Sequence, residues 1–336
     1  MKPFAAYSRR YERKRRLLTA AWRARELVRR RNRTSAIRPG ALLLFATIRN
    51  EADRLPYFLD YYRTRGVGHF LIVDNGSDDG STDILETAED VSLWTTDASY
   101  RRANFGVHWI NALANRYGAG HWMLCVDPDE YLVYPHCDTR DIPMLAERLE
   151  AGARRSFGTL LLDLYGRGPI RETWCPPGED PVAAAPWFDP ASYFYRRNDR
   201  YRDLWIQGGP RLRAFFADRP MHAPALNKIP LVKWRRGDCY VSSTHALLPR
   251  ALNVTYDDEA GERLTGVLLH AKFLAAIAPK VEEELLRAEH FAGGREYRAY
   301  ADKIGAGESL WTEHSVEYRD WRQLVALGLM SRGGWL

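Results

Sequence analysis

Short apolar runs alternate with segments of helical periodicity between residues 41 and 130. The runs have the length of strands buried on both faces, and they lie at residues 42–47, 69–73, 91–94 and 121–126. Only a few residues connect each run to the neighbouring helical segment, as is usual in compact domains. The alternation therefore predicts an α/β fold with a mostly parallel sheet and helices on both faces.

Polar clusters follow three of these predicted strands, at residues 47–51, 74–83 and 127–130. The carboxyl ends of parallel strands lie at one edge of a sheet, and α/β proteins bind their ligands in the crevice outside that edge. We therefore expect the three clusters to line one crevice that is rich in carboxylates and turn amides.

The third cluster contains three carboxylates within four positions, at Asp127, Asp129 and Glu130. Pro128 disfavours a helical conformation at Asp127 and so keeps this turn extended. Two aspartates with one residue between them can share a hard cation such as Mn²⁺ or Mg²⁺. An isolated Asp-x-Asp is more often a plain polar turn, so the two upstream clusters decide between these explanations.

With these three clusters in order, the chain resembles the family 2 glycosyltransferases of GT-A fold. In that family the first strand ends in an Asn-Glu turn, the second ends in an acidic Gly-Ser turn, and a later strand ends in an Asp-x-Asp metal motif. The matching positions are residues 50–51, 74–78 and 127–129. The resemblance covers residues 40–135 by motif and implies a Rossmann-like GT-A sheet.

The alternation becomes looser beyond residue 135. Residues 166–210 are rich in Pro, Gly, Arg and aromatic residues and are expected to form long loops. Periodicity predicts a strand at 158–165 and helices at 279–291 and 316–329. The expected organisation is a basic N-terminal arm (1–39), a GT-A domain (40–305) with a nucleotide-binding half (40–135) and a looser acceptor half (136–305), and a C-terminal helical tail (306–336).

The resemblance also implies roles for individual residues. The residues implied to bind the nucleotide-sugar are Thr47, Asn50, Glu51, Asp74, Asn75 and Asp127, with Thr47 beside the base. The family has an acid at the position of Asn75; an amide both donates and accepts, so the choice of base stays open. Asp127 and Asp129 are the implied ligands of Mn²⁺ or Mg²⁺, which would neutralise charge on the departing diphosphate.

Three residues of the second half complete the predicted site. His270 follows an apolar run and is the candidate third metal ligand, with a hydrogen-bonded structural histidine as the alternative. Imidazole suits Mn²⁺ better than Mg²⁺. Lys272 lies on the same side of an extended chain and is predicted to contact the diphosphate. Arg211 is predicted to grip a phosphate or an anionic acceptor, although exposed arginines are common.

An inverting enzyme of this family needs a carboxylate base that removes the proton of the acceptor hydroxyl. Such enzymes usually take the base from an acidic pair that follows the metal motif. The candidates are Asp180, Asp199 and Asp203, with Asp257-Asp258 as a further pair, and the sequence singles out none of them.

The net charge of +6 hides an asymmetry, because residues 1–40 contain 14 Lys and Arg but only Glu12 and Glu26. Residues 9–33 are predicted to form a basic amphipathic helix, which is typical of elements on anionic membrane surfaces; a solvated or disordered extension is the alternative.

The four cysteines lack paired spacing, and no apolar run has the length of a membrane span. We therefore expect a cytoplasmic protein that attaches peripherally to the inner face of the cell membrane.

Together these features predict a bacterial, metal-dependent, inverting glycosyltransferase. It would move a sugar from a nucleotide-diphosphate sugar to a saccharide or lipid-linked acceptor in surface polysaccharide synthesis. One alternative is a nucleic-acid or polyanion-binding protein that uses the basic arm, but the acidic body and crevice would repel phosphates in the absence of a metal. The other is a catalytically inactive scaffold of the same fold, against which the intact Asp127 and Asp129 argue.

Overall fold

A computed structural model describes residues 3–256, 262–287, 299–301 and 303–336. The strands of this structure are β1 (Val28–Arg31), β2 (Leu42–Ile48), β3 (Val67–Asp74), β4 (Val91–Thr95), β5 (Trp122–Cys125), β6 (Glu130–Val133), β7 (Ser156–Tyr165), β8 (Trp187–Phe188), β9 (Tyr193–Asn198), β10 (Asp203–Gly208), β11 (Asn227–Lys233), β12 (Cys239–Ser242), β13 (Ala246–Leu248), β14 (Gly266–Phe273) and β15 (Val316–Glu317). The α-helices are α1 (Pro3–Arg23), α2 (Leu55–Arg63), α3 (Ser81–Thr87), α4 (Val107–Leu113), α5 (Ile142–Ala151), α6 (Pro181–Ala184), α7 (Ile277–Arg287) and α8 (Trp321–Ala326).

The central sheet has the strand order β1-β4-β3-β2-β5-β11-β7-β14-β6. Strands β2, β3, β4 and β5 are parallel neighbours, β7 and β14 are parallel to each other, and β11 runs antiparallel between the two groups. The edge strands β1 and β6 are also antiparallel to their neighbours. Six of these nine strands therefore point the same way, and the predicted α/β fold with a mostly parallel sheet is confirmed. We call the edge where these six strands end the carboxyl edge; β6 and β11 begin there.

Strand β2 shows why the apolar runs are continuous. Leu42, Leu44 and Ala46 pack into the core on one face of the sheet, whereas Leu43 and Phe45 pack into the core on the other face. Each of these side chains is at most 4% exposed. Because successive strand residues point to opposite faces, only a strand covered on both sides needs apolar residues at every position.

Several predicted elements differ from those observed. Residues 166–210 contain the hairpin β9–β10 as well as β8 and α6, because their Tyr, Phe and Trp residues serve as strand residues. The helix predicted at 316–329 is shorter: Asp320 accepts a hydrogen bond from the Gln323 amide and starts α8, and residues 316–317 form a strand instead. Of the helix predicted at 279–291, residues 288–291 lie outside the described part of the chain.

The described part of the N-terminal arm, residues 3–39, is built into the fold. Helix α1 packs on α4 and β12, and β1 extends the sheet beside β4. The side chain of Glu12 is buried, pairs with Arg16 at 3.0 Å and accepts a hydrogen bond from the Tyr201 hydroxyl at 2.8 Å. Arg16 in turn donates to the carbonyl oxygen of Val241 at 2.9 Å. None of the helices in the described ranges is long and apolar enough to cross a membrane.

Gly266 is required where β14 enters the sheet. A Cβ atom at this position would lie 2.6 Å from the carbonyl oxygen of Val133 and 2.8 Å from the ring of Phe157. Gly266→Ala should therefore lower the free energy of unfolding by about 1–3 kcal/mol, because the backbone of β6 cannot move aside within the sheet. Chemical denaturation measures this change.

The matched control is Gly305→Ala, since nothing lies within 4 Å of a Cβ there and the residue ends a helical segment. The control should leave the stability unchanged or raise it slightly. Equal effects of the two substitutions would contradict the close packing of β14 against β6.

Candidate functional site

The Asp127–Glu130 segment forms a closed turn between β5 and β6 at the carboxyl edge. The amide of Glu130 donates to the carbonyl oxygen of Asp127 at 3.0 Å, and the amide of Asp127 donates to the Glu130 carboxylate at 3.2 Å. The Tyr131 hydroxyl donates to the Pro128 carbonyl oxygen at 3.1 Å. The turn separates its three acidic side chains, which are 54%, 18% and 1% exposed at Asp127, Asp129 and Glu130.

Asp129 is the first member of a chain of buried charges. Its carboxylate lies 3.3 Å from Nε2 of His270, and Nδ1 of His270 lies 2.6 Å from the carboxylate of Asp163. The other oxygen of Asp163 accepts from Nε of Arg211 at 2.7 Å. Sheet register produces this arrangement, because His270 is opposite Asp163 in β7 and opposite Glu130 in β6. His270 and Arg211 are predicted from separate stretches of sequence, and both contact the carboxylate of Asp163.

The pKa values of Asp129, His270 and Asp163 reflect strong pairing. Burial alone would raise the pKa of Asp129, but the charge and hydrogen bond of His270 hold it well below its usual range. Burial opposes the charged form of His270 as well, and the two flanking carboxylates nevertheless raise its pKa. The pKa of Asp163 is lowered despite burial, first by the charge of Arg211 and then by His270. The cluster is therefore a set of alternating charges held in a dry environment.

Lys228 supplies a second cation at the same edge. It lies near the start of β11, is 4% exposed, and its ammonium group is 2.8 Å from the Glu130 carboxylate. The Asp127 carboxylate is 3.9 Å from the same nitrogen. Burial acts against this charge, yet Glu130 and Asp127 raise the pKa of Lys228. Asp127 therefore faces an ammonium group and not the Asp129–His270 pair.

The residues around Asp129 and His270 provide only part of a metal-binding site. Asp129 and Nε2 of His270 are a carboxylate–imidazole pair, and the bond from Asp163 to the other ring nitrogen is the support that metal-binding histidines usually have. Within the described residues, however, no group of three or more His, Cys, Asp or Glu side chains is arranged to hold a metal. The predicted three-ligand set with Asp127 is thus not preformed, and the remaining ligands would have to come from the diphosphate and water, as is common for Mg²⁺.

The two upstream turns are joined to each other by hydrogen bonds. The amide of Asn50 donates to the Ser77 hydroxyl at 2.9 Å, and its side-chain oxygen accepts from the amide of Asp78 at 3.0 Å. The amide of Glu51 donates to the Ser81 hydroxyl at 2.9 Å. Asn50 adopts a positive φ of 51°, a conformation that Asn tolerates better than most residues. These residues therefore shape the floor of the crevice.

Asp74 and Asn75 are committed to the same turn. Asp74 is 1% exposed and accepts from the amide and hydroxyl of Ser77 and from the hydroxyl of Thr82. The side-chain amide of Asn75 donates to the carbonyl oxygens of Thr96 and Ala98, at 2.9 and 3.0 Å. Both N–H bonds of this amide are used inside the protein, so the predicted contact of Asn75 with a base would have to use its side-chain oxygen as an acceptor.

Glu51 is also paired within the protein. It lies 3.1 Å from Arg54 and contacts Lys280 of α7, while Arg54 donates to the carbonyl oxygen of Ala271 at 3.3 Å. Burial lowers the pKa of Lys280, and the nearby Glu51 only partly offsets this effect. Glu51 thus connects the first turn to the segment that follows His270, and any contact with a nucleotide would add to these bonds.

A partly open cavity adjoins the acidic turn. Asp127 and Glu130 form part of its wall, as does Thr47 at the end of β2. The other lining residues come from three further segments and are Ala46, Tyr100, Phe105, Val107, Ile110, Cys125, Val126, Tyr240, Ser243 and Thr244. Within the described residues, the buried hydroxyls of Thr47 and Thr244 have no hydrogen-bond partner.

The predicted base candidates lie in different places. Asp180 caps α6 by accepting from the amide of Val182 at 2.9 Å. Asp199 is exposed in the turn of the β9–β10 hairpin, and Asp203 is buried at the start of β10, away from the carboxyl edge. Residues 257–258 lie outside the described part of the chain. Lys272 is half-buried near the ring of Tyr300 and acts electrostatically on Asp129.

From the sequence alone, no role is assigned to Asp163, Lys228 or Thr244. Asp163 is a lone acid near the end of an otherwise apolar strand, which is a signal that could have been used because a charge there must be paired. Lys228 gives a similar signal at the start of β11. Thr244 reaches the cavity from a distant hairpin, and no local pattern indicates this.

No protein-family model matches the sequence, and no curated protein matches it significantly. Among solved structures, 4-diphosphocytidyl-2C-methyl-D-erythritol synthase is 12% identical; the match covers 60% of this chain and 76% of that chain, with a TM-score of 0.28. A Bacillus anthracis protein assigned as a glucose-1-phosphate thymidylyltransferase is 11% identical over 86% of this chain and 96% of that chain, also with a TM-score of 0.28. Similarities this low carry no argument about family or activity.

Arg211→Leu tests the chain of buried charges. The substitution leaves the buried carboxylate of Asp163 without its guanidinium partner, so the free energy of unfolding should fall by about 3–5 kcal/mol. Urea denaturation measures the change. The exposed Arg219 provides the control, and Arg219→Leu should alter stability by less than about 0.5 kcal/mol. Comparable losses in both variants would show that Asp163 does not depend on Arg211.

Proposed function

We propose that this protein is a metal-dependent, inverting glycosyltransferase that uses a nucleotide-diphosphate sugar. The observation that carries the proposal is that the paired charges of the carboxyl edge and the cavity share a wall, formed by Asp127 and Glu130. A nucleotide-diphosphate sugar needs this combination, because its base is flat and hydrogen-bonding whereas its diphosphate is strongly anionic.

The cavity suits a nucleobase. Tyr100 and Phe105 provide aromatic surface, and the hydroxyls of Thr47 and Thr244 are buried groups that lack partners among the described residues. A buried hydroxyl without a partner is unfavourable, and a base edge would supply both donors and acceptors. Thr47 is the residue that the sequence predicts beside the base.

The cationic groups of the carboxyl edge suit the diphosphate. Lys228 and Arg54 are buried there, and Lys272 lies close enough to influence Asp129. Asp129 and His270 would hold the Mn²⁺ or Mg²⁺ ion, with Asp163 fixing the orientation of the imidazole. When bound, the ion would neutralise charge on the departing nucleotide diphosphate.

The reaction would break the bond between the anomeric carbon and the phosphate oxygen and form a bond to an acceptor hydroxyl, whose proton passes to a base. The acceptor would be a saccharide or a lipid-linked sugar, as in surface polysaccharide synthesis. An inactive scaffold is the weaker alternative, because it gives no reason to keep an acidic turn, a supported histidine and a hydroxyl-lined cavity together.

The direct test measures binding of UDP-, GDP- and dTDP-sugars by thermal shift and by hydrolysis of the donor. Each measurement is made with Mn²⁺, with Mg²⁺ and with a chelator. We expect one nucleotide class to stabilise the protein in a metal-dependent manner. Asp129→Asn removes a charge that contributes several kcal/mol to a metal site, so this stabilisation should require about 100-fold more ligand or metal.

The control is Asp199→Asn, which changes an exposed aspartate away from the carboxyl edge and should bind the nucleotide normally. Binding that is unchanged in chelator would refute the metal requirement and leave the nucleotide site standing. Absence of binding by every nucleotide class would refute the transferase proposal.

We also propose that α1 docks the enzyme on an anionic membrane. The exposed residues of α1 and the turn after it recur every three or four positions, so they form one stripe: Tyr11, Lys14, Arg15, Leu18, Ala21, Trp22 and Arg25. Tyr11, Leu18 and Trp22 are 65%, 63% and 55% exposed, although their size and polarity favour burial. Apolar side chains interleaved with cations suit the boundary between lipid headgroups and acyl chains.

The acidic residues of this segment do not weaken the positive surface. Glu12 is bound by Tyr201 and Arg16, and Glu26 accepts from the indole nitrogen of Trp109 at 2.9 Å. Each arginine or lysine near an anionic membrane contributes about 1 kcal/mol. A nucleic acid would use the same cations, but it gives no reason for Leu18 and Trp22 to be exposed, so a lipid surface is the better partner.

Sedimentation with vesicles tests this surface. The protein should bind vesicles of phosphatidylcholine mixed with phosphatidylglycerol and should not bind phosphatidylcholine alone. The double variant Leu18→Glu with Trp22→Glu should bind at least about tenfold more weakly, because it removes apolar insertion and adds repulsion.

Trp174→Glu is the control, since Trp174 is 62% exposed and lies outside the stripe. Unchanged vesicle binding by the double variant would exclude α1 as the membrane-binding face. Stronger binding to random oligonucleotides than to anionic vesicles would favour a polyanion partner instead.

A further inference from the structure

A second cavity, partly open to solvent, lies between the β9–β10 hairpin and the segment after β13. Its lining residues are Arg197, Asn198, Asp199, Arg202, Asp203, Leu204, Asn253, Val254, Thr255 and Tyr256. Asp203 begins β10, and Gly208 at the other end of that strand leads into the turn that carries Arg211. Five residues of strand span about 16 Å, so this cavity is separate from the Asp129–His270 pair.

Two buried polar side chains of this cavity lack partners within the described residues. Asp203 is 6% exposed; neither carboxylate oxygen has a partner at full hydrogen-bond geometry among the described residues, although the Asn198 side chain lies close enough to lower its pKa. Thr255 is 4% exposed, and its hydroxyl is likewise without such a partner. Thr255 packs tightly against β7, where a Cβ at Gly158 would lie 2.4 Å from its hydroxyl oxygen. Burial of unpartnered polar groups is unfavourable, so a ligand that donates hydrogen bonds to Asp203 and Thr255 would remove a cost that the fold otherwise bears.

The charges around the cavity limit the class of ligand. Arg197 and Arg202 disfavour a metal ion or an ammonium group, whereas Asp199 and Asp203 disfavour a phosphate or a carboxylate. A neutral molecule with several hydroxyls avoids both kinds of repulsion. Its hydroxyls can donate to the carboxylate and to Thr255, and they can accept from the guanidinium groups.

An exposed aromatic residue precedes the cavity-lining part of β9. Tyr195 is 72% exposed and is two residues before Arg197 in β9, so both side chains project from the same face of the strand. An aromatic ring with an apolar face and a polar hydroxyl is well suited to pack against the flat apolar face of a sugar.

We propose that this cavity is a binding site for a neutral saccharide, with Asp203 and Thr255 as its central hydrogen-bonding residues and Tyr195 as a stacking surface. This inference rests on the proposed function. The bound saccharide would be part of the acceptor, held at a distance from the hydroxyl that reacts. The site itself contains none of the residues assigned to the nucleotide-sugar.

Saturation-transfer NMR of the full chain with lactose, maltotriose, cellotriose, mannotriose and chitotriose tests the proposal. At least one of these saccharides should bind, and Asp203→Asn and Thr255→Val should each weaken its binding at least about tenfold. The exposed Asp218 is the control position, and Asp218→Asn should bind the same saccharide as the parent protein.

The thermal stability of the ligand-free variants distinguishes a binding role from a structural one. Burial raises the pKa of Asp203 to about 6, and the Asn198 side chain opposes this only in part. The other charged or titratable residues that line the cavity are Arg197, Asp199, Arg202 and Tyr256. A raised carboxyl pKa means that the stabilisation is present at low pH and is lost as the pH rises through 6. Asp203→Asn should therefore raise the Tm at pH 8 and change it little near pH 4.

A lower Tm of Asp203→Asn at pH 8 would overturn the proposal, because it would show that the carboxylate stabilises the fold. A raised Tm without binding of any of the five saccharides would also overturn it. Nucleotide-sugar binding is measured separately, so failure of this site and failure of the transferase proposal give different results.

Discussion

The carboxylate of Asp163 is the charge on which the geometry of the carboxyl edge depends. It is 1% exposed and is bound by His270 on one side and by Arg211 on the other. The parallel pairing of β7 with β14 brings His270 to Asp163, and a shift of one residue would turn these side chains to opposite faces. An unpaired buried carboxylate is strongly unfavourable, so the charge itself helps to specify this register.

The same pairing limits how the proposed metal-bound diphosphate could bind. His270 uses both ring nitrogens within the protein, and Lys228 already has Glu130 as a partner. A metal-bound diphosphate would have to exchange the Asp129–His270 bond for coordination and draw Lys228 toward phosphate. The charges of the cluster are therefore paired without a ligand, which keeps them from destabilising the fold.

Sequence alone predicted the sheet because strands buried on both faces leave continuous apolar runs, and it predicted the carboxyl edge because polar turns followed those runs. It could not assign individual contacts. Asp74 and Asn75 look like ligand groups in the sequence, yet their side chains complete a turn. Asp163 looks like an isolated acid, yet it holds His270 in place. Thr244 reaches the cavity only through the packing of a distant hairpin, which depends on tertiary contacts and not on local pattern.

The inner face of helix α1 contacts segments that lead into both cavities. Arg16 donates to the carbonyl oxygen of Val241, two residues before the turn that lines the cavity beside Asp127 and Glu130. Glu12 accepts from Tyr201, which is two residues before Asp203 in the second cavity. The inner face of α1 thus supports the walls of two candidate binding sites while its outer face presents Leu18, Trp22 and cations. The proposed membrane surface would therefore lie on the side of α1 opposite the segments that lead into both cavities.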